Sequence, residues 1–294
     1  MKFTATVISL ALLLAGSVEA HAHIQARSHY RRGPSATYSP PAATSTAVST
    51  PAPTSPAPSN GNGANKRGLA FNDDGLTKNF NSQKIVWAYN WAPTHQGSLP
   101  DGVIYFPMLW SADGSKTATW NDDATAAIAA GATHLLGFNE PDLGAQANMS
   151  PEDAAKAWMT YMQPFAGKAK LVAPAITNGA PPAMGTGWLD RFIAACTECQ
   201  IDAWAIHIYD SASNVGYFKN YISDFVAKYG KETLVTEFGA SGSTQDQQNF
   251  LAEMLPFLDG LDGVTHYAYF GVLPGSLVNS DGSRTPIGDS YVSI

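Results

Sequence analysis

Two glutamates sit where paired-carboxylate chemistry could be done. Glu140 follows the apolar run Thr133–Asn139, and Glu237 lies inside the run Thr233–Phe238, each with no basic residue within several positions. Two carboxyl groups converging on one face can cleave an acetal between sugars. One, kept protonated, donates to the leaving oxygen, and the other, ionised, attacks the anomeric carbon, so the two roles require their pKa values to be pushed apart. A separation of about 5–5.5 Å would mean retention of configuration, and about 6.5–9.5 Å inversion. The bland reading of any single Glu at such a place is a salt bridge or a helix cap. Two of them in similar apolar settings weigh against it.

Aromatic residues supply the second signal, because Trp and Tyr rings complement the apolar C–H faces of sugars. The chain holds seven Trp and twelve Tyr. Trp91, Trp110, Tyr209 and Tyr269 fall at the ends of apolar runs and are expected to line a cleft, as is His207. Trp158, Trp188 and Trp204 lie within helix or strand patterns and are expected to pack in the core. His134 opens its run and reads as structural, while His95 and His266 lack partners at metal-ligand spacing, so neither a metal site nor a cofactor is expected. Asp142 and Asp210 read as helix caps. Gly239-Ala-Ser-Gly-Ser243 is a broken nucleophile elbow, with Ser243 where the last glycine belongs. Asn148-Met-Ser150 is the single N-glycosylation sequon, expected to be poorly occupied because Pro151 follows.

Positioning these groups requires a regular scaffold. Eight apolar, β-branched or aromatic runs alternate with helical patterns: 68–72, 84–91, 103–110, 133–139, 170–176, 201–209, 233–238 and 264–270. Ser150-Pro151-Glu152 reads as N-cap, N1 proline and early acid for a helix over Ala154–Phe165. Similar patterns cover Asn121–Ala130, Gly187–Cys196, Asn214–Tyr229 and Thr244–Leu258, and the first two connections carry weaker helix signals. The alternation predicts an α/β fold of the (β/α)8 TIM-barrel type, whose sites lie at the C-terminal ends of the strands. A doubly wound sheet would usually bring a nucleotide fingerprint, and Gly185-Thr-Gly187 lacks the third glycine.

Residues 1–20 read as a signal peptide, with Lys2, the apolar stretch Val7–Ala15 and small Val18 and Ala20 before a cleavage point. Residues 21–67 read as a disordered Ser/Thr/Pro-rich linker or propeptide, with Lys66-Arg67 as a candidate processing site, leaving a catalytic domain over 68–294. Neither a membrane span nor a lipid anchor is expected. From Gly68 onward eleven Lys and Arg face twenty-three Asp and Glu, a net charge of −12. So acidic a body argues against nucleic acid and anionic membranes and favours a neutral ligand. The two cysteines, Cys196 and Cys199, are expected to form a local disulfide, as suits a secretory route.

Taken as an ordered set, Gly137-Phe-Asn-Glu-Pro-Asp142, Trp188-Leu-Asp with Cys196-x-x-Cys199, His207-x-Tyr209 and Thr236-Glu-Phe-Gly239 resemble glycoside hydrolase family 128, over about Gly68 to Tyr291. The resemblance implies a secreted, cell-wall-associated endo-β-1,3-glucanase, monomeric, acting on β-glucan without a cofactor. It implies Glu140 as general acid/base, Glu237 as nucleophile with net retention, Asn139 bonded to the sugar 2-hydroxyl, and His207 and Tyr209 in the cleft, Tyr209 orienting Glu237. Tyr269 departs from it, since relatives often place Trp there. A glucan-binding barrel without turnover and a transglycosylase remain as alternatives. An esterase is disfavoured by the broken elbow.

Overall fold

The computed structural model describes residues 65–230 and 232–294. The expected signal peptide and most of the linker lie outside the described residues. Eight parallel strands alternate with helices: β1 (Arg67–Phe71), β2 (Ile85–Tyr89), β3 (Ile104–Tyr105), α1 (Trp120–Ala129), β4 (His134–Leu136), α2 (Pro151–Tyr161), β5 (Lys170–Val172), α3 (Gly185–Ala195), β6 (Ala203–Ser211), α4 (Val215–Tyr229), β7 (Glu232–Ser241), α5 (Thr244–Gly260), β8 (Val264–Val272) and α6 (Pro286–Ser293). Their order in the sheet is β3-β2-β1-β8-β7-β6-β5-β4. The segment after β3 joins the sheet's two ends: Leu136 N donates to Pro107 O at 2.9 Å, Leu109 N to Leu136 O at 3.0 Å and Asn139 N to Trp110 O at 2.9 Å. The fold is thus α/β and TIM-barrel-like. It departs from strict alternation where the helix signals are weak. A 3-10 turn, Asp74–Phe80, links β1 to β2, and no helix separates β2 from β3.

Local rules explain the helices. Ser150 Oγ accepts from Asp153 N at 3.1 Å, and Pro151 takes the first turn, where its missing N–H costs nothing. On α4, Phe218, Ile222 and Phe225 recur at helical spacing and bury one face, each contributing about 1.5–3 kcal/mol. Gly230 ends that helix at φ 61°, a left-handed cap that suits glycine.

Alternation along the strands sorts side chains into two layers. On β6, Trp204, Ile206 and Ile208 pack outward against the helices, while Ala203 and Ala205 pack inward. The inner layer is otherwise built from Trp87, Tyr89, Phe106, Met108, Leu136 and Leu234. β1 begins one residue before the expected boundary. Arg67 is buried, donating from Nε to Tyr267 Oη at 3.0 Å and from Nη1 to the Tyr291 carbonyl. Lys66 Nζ donates to the carbonyls of Leu258 and Leu261 at 3.2 and 3.1 Å. The dibasic pair read as a processing site is therefore tied into the fold. Cys196 and Cys199 are disulfide-bonded, their Cα atoms 5.2 Å apart, just past α3.

Candidate active site

At the C-terminal ends of the strands the sheet gathers Glu140, His207 and Glu237, all fully buried. Glu140 follows β4 with φ 45°, a left-handed backbone that a non-glycine residue holds only where its surroundings impose it. Its amide donates to Ala175 O at 2.8 Å and its carbonyl accepts from Leu143 N at 3.0 Å, fixing the turn from both sides. Next to it, Asp142 accepts from Thr177 Oγ1 at 2.6 Å and from the Gly185 amide at 2.8 Å, capping α3 from a distance and tying the loop after β5 to the Glu140 loop.

His207 projects inward from β6, two residues beyond Ala205. Opposite it, β7 carries a bulge: Ile206 pairs with Val235, but His207 pairs with Glu237. The extra residue is Thr236, so two consecutive β7 residues face one histidine, a common use of bulges beside active sites. His207 Nε2 lies 2.9 Å from Thr236 Oγ1, while Nδ1 lies 2.8 Å from Glu140 Oε1 and 3.4 Å from Glu237 Oε2. One oxygen of each glutamate and a nitrogen of His207 all fall within 4.8 Å of one another.

Glu237 is held by two close donors. Trp91 Nε1 donates to Oε1 at 2.9 Å and Tyr209 Oη donates to Oε2, while the Tyr89 hydroxyl, 3.1 Å from the Thr236 carbonyl, lies 3.5 Å from Oε1. Burial and the nearby Glu237 push the Tyr89 phenol well above its ordinary pKa, so it stays a proton donor. Trp91 reaches the carboxylate from φ 57°. Gly239 lies in register with Tyr209, and a Cβ there would stand 2.9 Å from the Tyr209 ring. The glycine of the Thr236–Gly239 motif thus makes room for the tyrosine that holds Glu237.

Of the other expected cleft residues, Asn139 is buried beside Glu140. Its Nδ2 donates to Gln146 Oε1 at 3.2 Å, and its Oδ1 accepts no hydrogen bond from the described residues. Trp110 is partly exposed, with the Lys116 ammonium 5.4 Å from its ring centre. Tyr269 does not reach the cleft. It pairs with Leu69 and Phe238, packs edge-on against Phe238, and donates to Gln247 Oε1 of α5 at 2.9 Å, so it belongs to the outer layer. Its neighbour Phe270 faces the site instead, 5.7 Å from Trp91 and 5.8 Å from Tyr209, ring to ring. Sequence reading missed Tyr89, Thr236 and Phe270. The alternate spacing of Trp87 and Tyr89 on β2 and Trp91 just beyond it carried the signal for the first.

The chain that carries this site has known counterparts. A family description, the glycosyl hydrolase catalytic core, matches residues 68–291. Alkali-sensitive linkage protein 1 of Schizosaccharomyces pombe is 31% identical over 253 residues, 78% of this chain but 44% of the relative, so the chain spans less than half the length of that protein. A crystal structure of a family 128, subgroup III, curdlan-specific exo-β-1,3-glucanase from Blastomyces gilchristii in complex with glucose is 44% identical, covering 79% of this chain and 99% of that one with a TM-score of 0.72. A subgroup I endo-β-1,3-glucanase from Amycolatopsis mediterranei in complex with laminaritriose is 30% identical, covering 78% and 99%, with a TM-score of 0.67. With its fold, its carboxylate pair and these matches in agreement, the chain belongs to the glycosyl hydrolase catalytic core family and, within it, to glycoside hydrolase family 128.

Proposed function

We propose that this protein hydrolyses β-1,3-glucan by double displacement with retention. The observation that carries the mechanism is the close approach of Glu140 and Glu237, with an oxygen of each within 4.8 Å of the other. Inversion needs a water between substrate and base, and about 6.5–9.5 Å between the carboxyl groups. The gap here suits direct attack on the sugar. Glu237, bonded to Trp91 and Tyr209, attacks C1, and Glu140 gives its proton to the departing glycosidic oxygen. Glu140, now a carboxylate, takes a proton from water as that water displaces Glu237 from C1. His207 contacts both carboxyl groups and keeps the acid/base beside the nucleophile. The Asn139 carbonyl oxygen is a buried acceptor suited to a sugar hydroxyl. The acid, the nucleophile and water balance the reaction without a cofactor.

The substrate class is supported by the relatives described as β-1,3-glucanases, two of them with glucose or laminaritriose bound. Internal cleavage is the expected mode. The Blastomyces relative, described as an exo-enzyme at 44% identity, favours a second reading, release from chain ends. Proton magnetic resonance of the first products from laminarin tests the mechanism: the β-anomer should appear first, and an initial α-anomer would overturn it. Glucose as sole early product marks exo action, and longer oligosaccharides mark endo action. Glu237→Ala should abolish turnover. Glu140→Ala should lower it by about 10²–10⁴-fold on laminarin and far less on substrates with good leaving groups.

A further inference from the structure

A second cluster of ligating side chains lies at the opposite end of the barrel, apart from the carboxylate pair. His134 opens β4, Glu232 opens β7 and His266 is the third residue of β8, so all three gather at the N-terminal ends of the strands. His134 Nε2 lies 3.0 Å and His266 Nδ1 3.7 Å from the same carboxylate oxygen, Glu232 Oε1. One donor atom from each residue falls within 4.8 Å of the other two. From the sequence, His266 showed no partner at ligand spacing. The fold supplies two, from strands far apart in the chain.

We propose that these three side chains form a site for a divalent transition metal ion of the zinc class, separate from catalysis. Two imidazoles and one carboxylate, with water completing the shell, is a donor set that zinc favours. Ligands bound at about 2.0–2.1 Å in a tetrahedron stand roughly 3.3 Å apart, and the observed 3.0 and 3.7 Å bracket that spacing. The imidazoles are oriented from outside. Thr133 Oγ1 lies 2.8 Å from His134 Nδ1, the outer-shell contact that metal-bound histidines usually keep. The Phe106 ring lies 4.5 Å from His134 and 5.2 Å from His266, and Trp87 meets His266 edge-on. His134 is buried, while Glu232 and His266 are 16% and 18% exposed, giving an ion a path from solvent. Among the described residues the cation facing the cluster is Lys170, which pairs with the other carboxylate oxygen, Glu232 Oε2, while Thr265 Oγ1 donates to Oε1 at 3.0 Å and lies 3.0 Å from His266 Nδ1, a hydroxyl that an entering ion would displace. The Lys170 side chain is half exposed, so its ammonium can turn to water when an ion enters.

The test uses the full, untagged chain, stripped with chelator and titrated with zinc chloride by calorimetry and thermal unfolding, with cobalt(II) absorption as a second probe. One saturable ion per chain is expected, with a melting temperature roughly 5–10 °C higher at a free zinc concentration of about one hundred times Kd. His266→Asn and Glu232→Gln should each weaken binding roughly tenfold or more, and the tetrahedral cobalt bands of the parent chain should be lost in both. Glu140→Gln should bind as the parent does. No saturable binding to the parent chain would overturn the proposal. So would binding kept in His266→Asn and lost in Glu140→Gln, which would place the ion among the catalytic carboxylates.

Discussion

Trp91 donates its indole N–H to Glu237 Oε1 at 2.9 Å from a left-handed backbone, so a residue expected to stack on sugar also holds the nucleophile. A carboxylate that can rotate spends less time aligned with C1, and small misplacements at a reacting centre are costly. Trp91→Phe keeps an aromatic ring beside Tyr89 and Phe270 but removes the donor. It should lower kcat by about tenfold or more and change KM less, measured on laminari-oligosaccharides. An unchanged kcat would show that Tyr209 and Tyr89 suffice to orient Glu237.

Gly239 makes the second prediction. An added Cβ would stand 2.9 Å from Tyr209 Cε1, too close to coexist, and the Tyr209 ring also packs edge-on against Phe270, 5.8 Å between ring centres. Gly239→Ala should displace Tyr209 from Glu237 Oε2 and reduce kcat by about tenfold or more, while Tyr209→Phe, which removes the hydroxyl without crowding, reproduces the loss. If the methyl acted only by destabilising the fold, kcat per folded molecule would stay at the parent value and the melting temperature alone would fall.

What could be read from the sequence follows the physics of alternation. Glu140, His207, Tyr209 and Glu237 lie at the ends of strong apolar runs, and the barrel brings them together. Tyr269 also lies near such an end but is turned outward, because its neighbours in register are Leu69 and Phe238, both packed against the helices. Choosing between Tyr269 and Phe270 requires knowing the register of β8 on β7, which shifts between Val235 and Phe238. Period-two reasoning fails at such a bulge. The same irregularity concealed Thr236, which strict alternation from Glu237 would turn away from the site.

Thr236 yields the third prediction. Its hydroxyl, 2.9 Å from His207 Nε2, is placed to fix which imidazole nitrogen carries the proton facing Glu140 and Glu237. Thr236→Val removes that contact at nearly constant volume. It should lower kcat by about tenfold and alter the shape of the pH–rate profile, and Thr236→Ser should restore both. A profile unchanged in Thr236→Val would mean that the histidine is set by the carboxylates alone.

Tyr269 gives the fourth prediction, which separates a packing residue from a cleft residue. Burial pushes its phenol from 10.0 up to about 12. Unfolded, it ionises near its ordinary value, so between pH 10 and pH 12 the unfolded chain has released a proton that the folded chain keeps. Because the unfolded state then binds fewer protons, stability falls as pH rises through that window and is fully present below it. The penalty from this residue reaches roughly 2–3 kcal/mol at the upper end. Tyr269→Phe removes the ionisable group, at the cost of about 1 kcal/mol for the lost hydrogen bond to Gln247. Urea unfolding followed by tyrosinate absorbance should show a shallower alkaline decline in the variant than in the parent. Because the ring lies between sheet and helices, KM for laminarin should stay at the parent value. A raised KM would put Tyr269 back in the cleft.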